Sequence, residues 1–132
     1  MIHFHHIGIF VKNISLGKKF FQNIIEIKKK SKIYKDMNLG VKVVFLYDQK
    51  NICYEIVAPL KRENPVEKVL KSKKNILNHL AYISDDFKND IKKLRSQGCA
   101  PMTKVMRAKA FKNKNIIFFL STLGFIIEII EK

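Results

Sequence analysis

The stretch Ile52-Cys53-Tyr54-Glu55-Ile56-Val57 sets one carboxylate in the middle of an apolar run, and Phe125-Ile126-Ile127-Glu128-Ile129-Ile130 does the same 73 positions later. Short apolar runs bounded by turn signals read as buried strands. Strand alternation puts Cys53, Glu55 and Val57 on one face of the first, and Ile126, Glu128 and Ile130 on the equivalent face of the second. A carboxylate in such surroundings is costly to bury without a partner. The repeated Glu therefore marks both a repeated fold unit and a candidate functional group.

The same offset recurs on moving outward. Val43-Val44-Phe45-Leu46 matches Ile116-Ile117-Phe118-Phe119, and His6-Ile7-Gly8-Ile9-Phe10-Val11 matches His79-Leu80-Ala81-Tyr82-Ile83-Ser84, each 73 positions apart. Both of these first strands open with His, and each His precedes its Glu by 49 positions. Helical spacing follows each of them. Ser15 to Ile25 carries Leu16, Phe20, Phe21 and Ile24 on one side, and Asp85 to Gln97 carries Phe87, Ile91 and Leu94. Asp85 or Asp86 suits the N-cap of the second helix, and Gly98 suits its C′ position. Lys50-Asn51 and Leu123-Gly124 stand where hairpin turns belong, with Asn51 and Gly124 tolerating positive φ.

These matches predict an α+β fold of two tandem βαβββ modules. The modules are expected at residues 1–58 and 75–132, joined by a connector over 59–74 with a short helix across Val66–Leu70. Each module alone would be marginal in size. Together they form one domain with a concave, strand-lined cleft and helices on its outer faces.

Composition narrows the function classes. The chain has 132 residues, a net charge of +15 and 47% hydrophobic residues, which is globular rather than disordered. No stretch reaches the ~18–20 apolar residues of a membrane span. The start of the chain lacks the features of a signal peptide, and two cysteines make no disulfide framework. A soluble cytoplasmic protein is expected, with no membrane partner. The cations are 23 Lys and only three Arg. Base readout and bidentate phosphate contacts favour Arg, so the charge reads as a solvated surface and no nucleic-acid partner is expected. His3 and His5 have no counterpart in the second module and are read as structural or surface residues. Cys53 shares the face of Glu55 and is read as a small buried apolar group, and Cys99, in a turn after Gly98, is read as structural.

Pseudo-twofold symmetry would bring His6, Glu55, His79 and Glu128 to one place. Two imidazoles and two carboxylates make a mixed nitrogen and oxygen set suited to one divalent ion, Co²⁺, Ni²⁺, Mn²⁺, Fe²⁺ or Zn²⁺. Four protein ligands on an octahedral ion leave two positions for a small-molecule substrate with neighbouring oxygens. The bland alternative is a pair of structural histidines and two edge carboxylates.

The sequence resembles the vicinal oxygen chelate superfamily, which includes glyoxalase I, extradiol dioxygenases and bleomycin-resistance proteins. Within it, the chain most resembles methylmalonyl-CoA epimerase. The resemblance rests on His5-His6-Ile7-Gly8-Ile9, Gly40-Val41-Lys42-Val43-Val44-Phe45-Leu46, Tyr54-Glu55-Ile56-Val57-Ala58-Pro59-Leu60, Asn64-Pro65-Val66, Asn78-His79-Leu80-Ala81 and Ile127-Glu128-Ile129. It implies His6, Glu55, His79 and Glu128 as metal ligands, an acyl-CoA as the first substrate to consider, and a homodimer. The reaction implied is isomerisation or epimerisation through an enolate.

Two departures stand out. The epimerase has an acid/base carboxylate just before the Gly-Val of the middle strand, where this chain has Asn38, a substrate-facing position that cannot take a proton. Asp36, two residues earlier, would share the face of Asn38 in a regular strand and serve as a displaced base beside Glu128. The glycine-rich loop of the second half is replaced by a basic stretch in which Arg107, Lys109 and Lys112 could hold a phosphate or carboxylate, or form a solvated loop. A glyoxalase I-like lyase would use the same four ligands. A non-catalytic resistance-type binding protein is the reading from a different class.

Overall fold

Two units, each a strand, a helix and a run of antiparallel strands, make up the chain in a computed structural model that describes every residue except residue 75. Asn75, where the second module is expected to begin, thus lies outside the described residues. One unit comprises His6–Asn78 and the other Met1–His5 with His79–Lys132. The described residues form ten strands and three α-helices, the mixed α+β class expected.

The first unit contains the later part of β1 (Ile2–Phe10), then α1 (Ile14–Ile24), β2 (Ile27–Lys30), β3 (Tyr34–Asp36), β4 (Val41–Asp48), β5 (Cys53–Pro59) and α2 (Pro65–Ser72). Helix α1 starts where the Asn13 side chain accepts the Leu16 N–H at 2.9 Å. The helix packs closely on β5 at Gly17, where a Cβ would lie 2.7 Å from Ile56 Cγ2. Ile14 of the helix and Val44, Leu46, Ile56 and Ala58 of the sheet form one buried cluster. Asn64 caps α2 by accepting the Val66 and Glu67 N–H groups, both at 3.0 Å, and Pro65 opens the helix without an orphan donor.

The second unit contains β6 (Leu77–Ser84, its first two residues belonging to the other unit), α3 (Phe87–Ser96), β7 (Ala100–Pro101), β8 (Met106–Ala108), a single 3₁₀ turn (Lys109–Phe111), β9 (Lys114–Leu120) and β10 (Ile126–Glu131). Asp86 caps α3, and Gly98 follows its end at φ +84°. The core here is Phe87, Cys99, Ile117, Phe119, Ile127 and Ile129. The first residues of β1 belong to this unit: Ile2 packs on that core and the Phe4 ring meets Tyr82 edge-on at 6.0 Å.

Strand registers carry the repeat into three dimensions. Gly8 pairs with Glu55 in parallel β1/β5, and Ala81 pairs with Glu128 in parallel β6/β10. Phe45 pairs with Glu55 in antiparallel β4/β5, and Phe118 with Glu128 in β9/β10. Every one of these positions matches at the offset of 73.

Two expectations need correction. His6 and His79 do not open their strands but lie inside them, because β1 already begins at Ile2 and β6 at Leu77. Alternating His-Phe-His is extended backbone whose polar residues hide the strand signal. The second strand of each module is also interrupted. In the first unit Ser31 breaks it, donating its N–H to the Phe45 carbonyl (2.9 Å) while its Oγ accepts the Phe45 N–H (2.9 Å). In the second, the Phe118 N–H is taken by Thr103 Oγ1 at 3.2 Å. A hydroxyl stands in for a strand carbonyl in both.

The turn before β4 is the most constrained point. Gly40 has φ +70°, and a Cβ there would lie 2.2 Å from the Glu63 carbonyl oxygen, whereas Gly124, at φ +90°, faces open space. Gly40→Ala should therefore destabilise clearly more than Gly124→Ala, whose cost is about 1 kcal/mol of left-handed backbone strain. Asn64→Ala should cost about 1 kcal/mol through loss of the cap. Urea unfolding midpoints of the three variants test the order.

Candidate metal centre

The sheet of each unit is buried on both faces. On one face of the first unit the helix covers Val44, Leu46, Ile56 and Ala58. The other face carries Val41, Val43 and Phe45 of β4 and Cys53, Glu55 and Val57 of β5, all buried. His6 comes to that same face from β1. Its Nε2 lies 3.4 Å from Glu55 Oε1, and its ring meets Phe45 edge-on at 5.8 Å.

The second unit builds the same arrangement from its own residues. Glu128 of β10 stands among the buried Ile116, Ala81 and Ile130. His79 Nε2 is 3.1 Å from Glu128 Oε2, and its ring meets Phe118 edge-on at 5.4 Å. Exposure is 0% for His6, 5% for Glu55, 5% for His79 and 2% for Glu128. Four groups that water would otherwise solvate are thus held inside apolar walls. Among the described residues, these four offer the buried ligand atoms that could hold a metal ion.

The donor chemistry fits a divalent cation. Two ligand atoms each ~2.1 Å from an octahedral ion and at right angles to one another lie about 3 Å apart. Both imidazole–carboxylate pairs have that separation. An imidazole nitrogen with a carboxylate oxygen suits borderline first-row ions.

The other candidate residues fall in different surroundings. Strand β3 ends at Asp36, so the regular strand that would have put Asp36 and Asn38 on one face does not exist. Asp36 is buried and its Oδ1 accepts the N–H groups of Asn38 and Leu39, both at 3.0 Å. Asn38 is exposed in the turn so formed. Asp36 is therefore the clasp of the turn before β4, which a linear reading cannot distinguish from a displaced base.

Arg107 lies away from the Glu128 face. It pairs with Asn115 on β9, so it shares the face of Ile117 and Phe119, opposite to that of Glu128. Lys109 and Lys112 are exposed in the tight turn after β8, with Lys112 at φ +55°. His3 is exposed and bonded to Asp85 at 2.7 Å, and His5 meets the Phe111 ring at 5.8 Å. Sequence reasoning missed Tyr34 and Tyr47, which stand on the Glu55 face of β3 and β4. Their alternation with Val43 and Phe45 was the available signal.

Comparison with known proteins agrees with this geometry. Residues 5–118 match the family described as the Glyoxalase/Bleomycin resistance protein/Dioxygenase superfamily. No curated protein matches the sequence significantly. The fold is similar to that of hypothetical protein BH1468 from Bacillus halodurans C-125, with TM-score 0.83 and 21% identity over 99% of this chain and 94% of that one. It is similar to methylmalonyl-CoA epimerase from Mycobacterium tuberculosis, with TM-score 0.78 and 22% identity over 97% and 86% of the two chains. A Streptomyces coelicolor methylmalonyl-CoA epimerase variant, crystallised with 2-nitronate-propionyl-CoA, gives TM-score 0.76 and 18% identity over 98% and 96%. Among the described residues, no helix is long and apolar enough to cross a membrane. With a matched family spanning most of its length and a paired His/Glu in each half, the chain belongs to the glyoxalase/bleomycin resistance/dioxygenase superfamily.

Proposed function

We propose that the protein is a divalent-metal-dependent isomerase or epimerase acting on a small chelating substrate, with an acyl-CoA thioester as the first compound to test. The observation that carries this reading is the pair of buried imidazole–carboxylate couples at cis-ligand spacing, 3.4 Å and 3.1 Å. His6, Glu55, His79 and Glu128 would hold the ion. Bound there, a divalent cation acts as a Lewis acid that favours negative charge on a substrate oxygen as the neighbouring carbon loses its proton.

The chain's own residues supply the rest. Glu128 is the carboxylate assigned to take and return the proton. Ile130 is buried on its side of the strand, and the Phe118 ring meets the His79 ring edge-on. Asp36 holds the turn before β4 through its two backbone contacts, and no proton transfer is assigned to it. A glyoxalase I-like lyase would use the same four residues, so the methylglyoxal–glutathione adduct is the second compound to test.

Purified protein loaded with Co²⁺ should retain one ion per chain after dialysis, with a raised melting temperature. Loss of the ion from wild type on dialysis would overturn the metal reading. His6→Ala and His79→Ala should each bind the metal far more weakly. Solvent deuterium should enter methylmalonyl-CoA in the presence of loaded enzyme. At saturating metal, Glu128→Gln should slow that exchange at least about 100-fold, and Glu55→Gln much less. Metal retention without exchange or lyase activity would leave the fold and refute the catalytic assignment.

Asp36→Asn keeps an oxygen for both turn N–H groups but cannot carry a proton at neutral pH. Exchange by this variant should match wild type, while Asp36→Ala should lose about 1 kcal/mol of stability. A severe loss of exchange in Asp36→Asn with an unchanged melting temperature would restore Asp36 as a base.

Cys53 stands beside Glu55 on the same face, opposite Tyr47. Burial pushes its thiol up to about 12, against the opposing effect of a hydrogen bond with Tyr47. Burial likewise raises the Tyr47 hydroxyl to about 12. Both groups stay neutral at physiological pH, so the wall adds no charge next to Glu55. Native protein should leave Cys53 unmodified by iodoacetamide at pH 8 and alkylate it once denatured, as mass spectrometry of the labelled peptides would show.

A further inference from the structure

The registers of the two units allow one half to serve as a control for the other. In the first unit Lys29 of β2 stands opposite Tyr47 of β4, on the face that carries Phe45 and Glu55. Tyr34 of β3 stands opposite Val43 on that same face. In the second unit the corresponding pairs are Ala100 with Leu120 and Met106 with Ile116. The fold thus accepts an entirely apolar edge at this place. The first unit instead presents a cation and two phenols, a choice that packing alone does not require.

Both phenols are covered by ammonium groups. Lys29 Nζ lies 5.5 Å from the centre of the Tyr47 ring, and Lys32 Nζ lies 5.3 Å from that of Tyr34. Each ammonium is thus held over an aromatic face rather than ranging through solvent. Both lysines are exposed and can meet a ligand. The rings also lead back to the metal-ligating residues: Tyr34 meets Phe45 at 6.1 Å, and Phe45 meets His6 at 5.8 Å.

We infer that Lys29 and Lys32 form an anion-recognition subsite that holds a remote carboxylate or phosphate of the substrate. The inference rests on the metal reading for the position of the reacting group. Strands β2, β4 and β5 are successive neighbours. At about 4.8 Å per strand, Lys29 therefore stands roughly 10 Å across the sheet from the strand of Glu55. The recognised anion lies on the part of the substrate away from its chelating oxygens.

Titration calorimetry at one fixed, low salt concentration tests the subsite without any reaction. Coenzyme A is the phosphate-bearing probe and glutathione the carboxylate-bearing one. Wild type should bind at least one of them. The double variant Lys29→Gln/Lys32→Gln should bind that probe about tenfold more weakly, the loss expected for a hydrogen bond to a charged group. Lys29→Arg/Lys32→Arg should keep most of the affinity. The control Lys19→Gln/Lys30→Gln removes the same charge, from α1 and from the opposite side of β2, where Lys30 stands against Leu46. It should bind as wild type does.

Loss with coenzyme A identifies phosphate, and loss with glutathione identifies carboxylate. An equal loss in the control would mean a general field of the +15 chain and would overturn the subsite. So would unchanged binding by the glutamine variant, or binding of neither probe by wild type. Metal content is measured on the same samples. Failure to retain metal would refute the metal reading by itself, while unchanged probe affinity in a metal-replete glutamine variant would refute the subsite alone.

Discussion

A carboxylate held beside an imidazole inside an apolar strand layer is the constraint on which this molecule depends. Burying either group alone would cost several kcal/mol. In each unit the cost is moderated by the same arrangement. His and Glu come from two parallel neighbouring strands, and a phenylalanine stands across from the Glu on the third. The pair separations match those of neighbouring ligands on one ion, which gives the buried charge a reason to persist.

The strand order around these residues follows from that requirement. A strand whose two faces are both covered needs apolar residues at nearly every position, and β4, β5, β9 and β10 supply them. Polar atoms then appear only where they have work. Ser31 and Thr103 pair with the strand backbone at the interruption of the edge. Asp36 closes the turn that leads into β4. Such side-chain substitutes for backbone partners let a short edge strand bend without leaving buried donors unmet.

Duplication also shows where the halves have parted. Their central strands keep the same register at the His, Glu and Phe positions, while their edges have different chemistry. One edge carries lysines over tyrosines, and the other carries Ala100, Met106 and Leu120. Two of the many lysines thus lie over aromatic rings at the first edge.

Amino-acid order alone determined the repeat, the fold class and the identity of the paired residues. Identical spacing of His and Glu in two apolar contexts is a one-dimensional property that survives in any fold keeping the register. The places of Asp36, Arg107 and the two tyrosines were decided only by tertiary structure. Asp36 reads in the sequence as a displaced base, and the end of β3 turns its carboxylate onto backbone N–H groups. Arg107 reads in the sequence as an anion-holding residue, and its pairing with Asn115 sets it on the face of the strand opposite to that of Glu128. Which way a side chain faces depends on where a strand starts, bends and stops. Those points are set by hydroxyl and carboxylate contacts to backbone from distant residues, and a linear pattern does not record them.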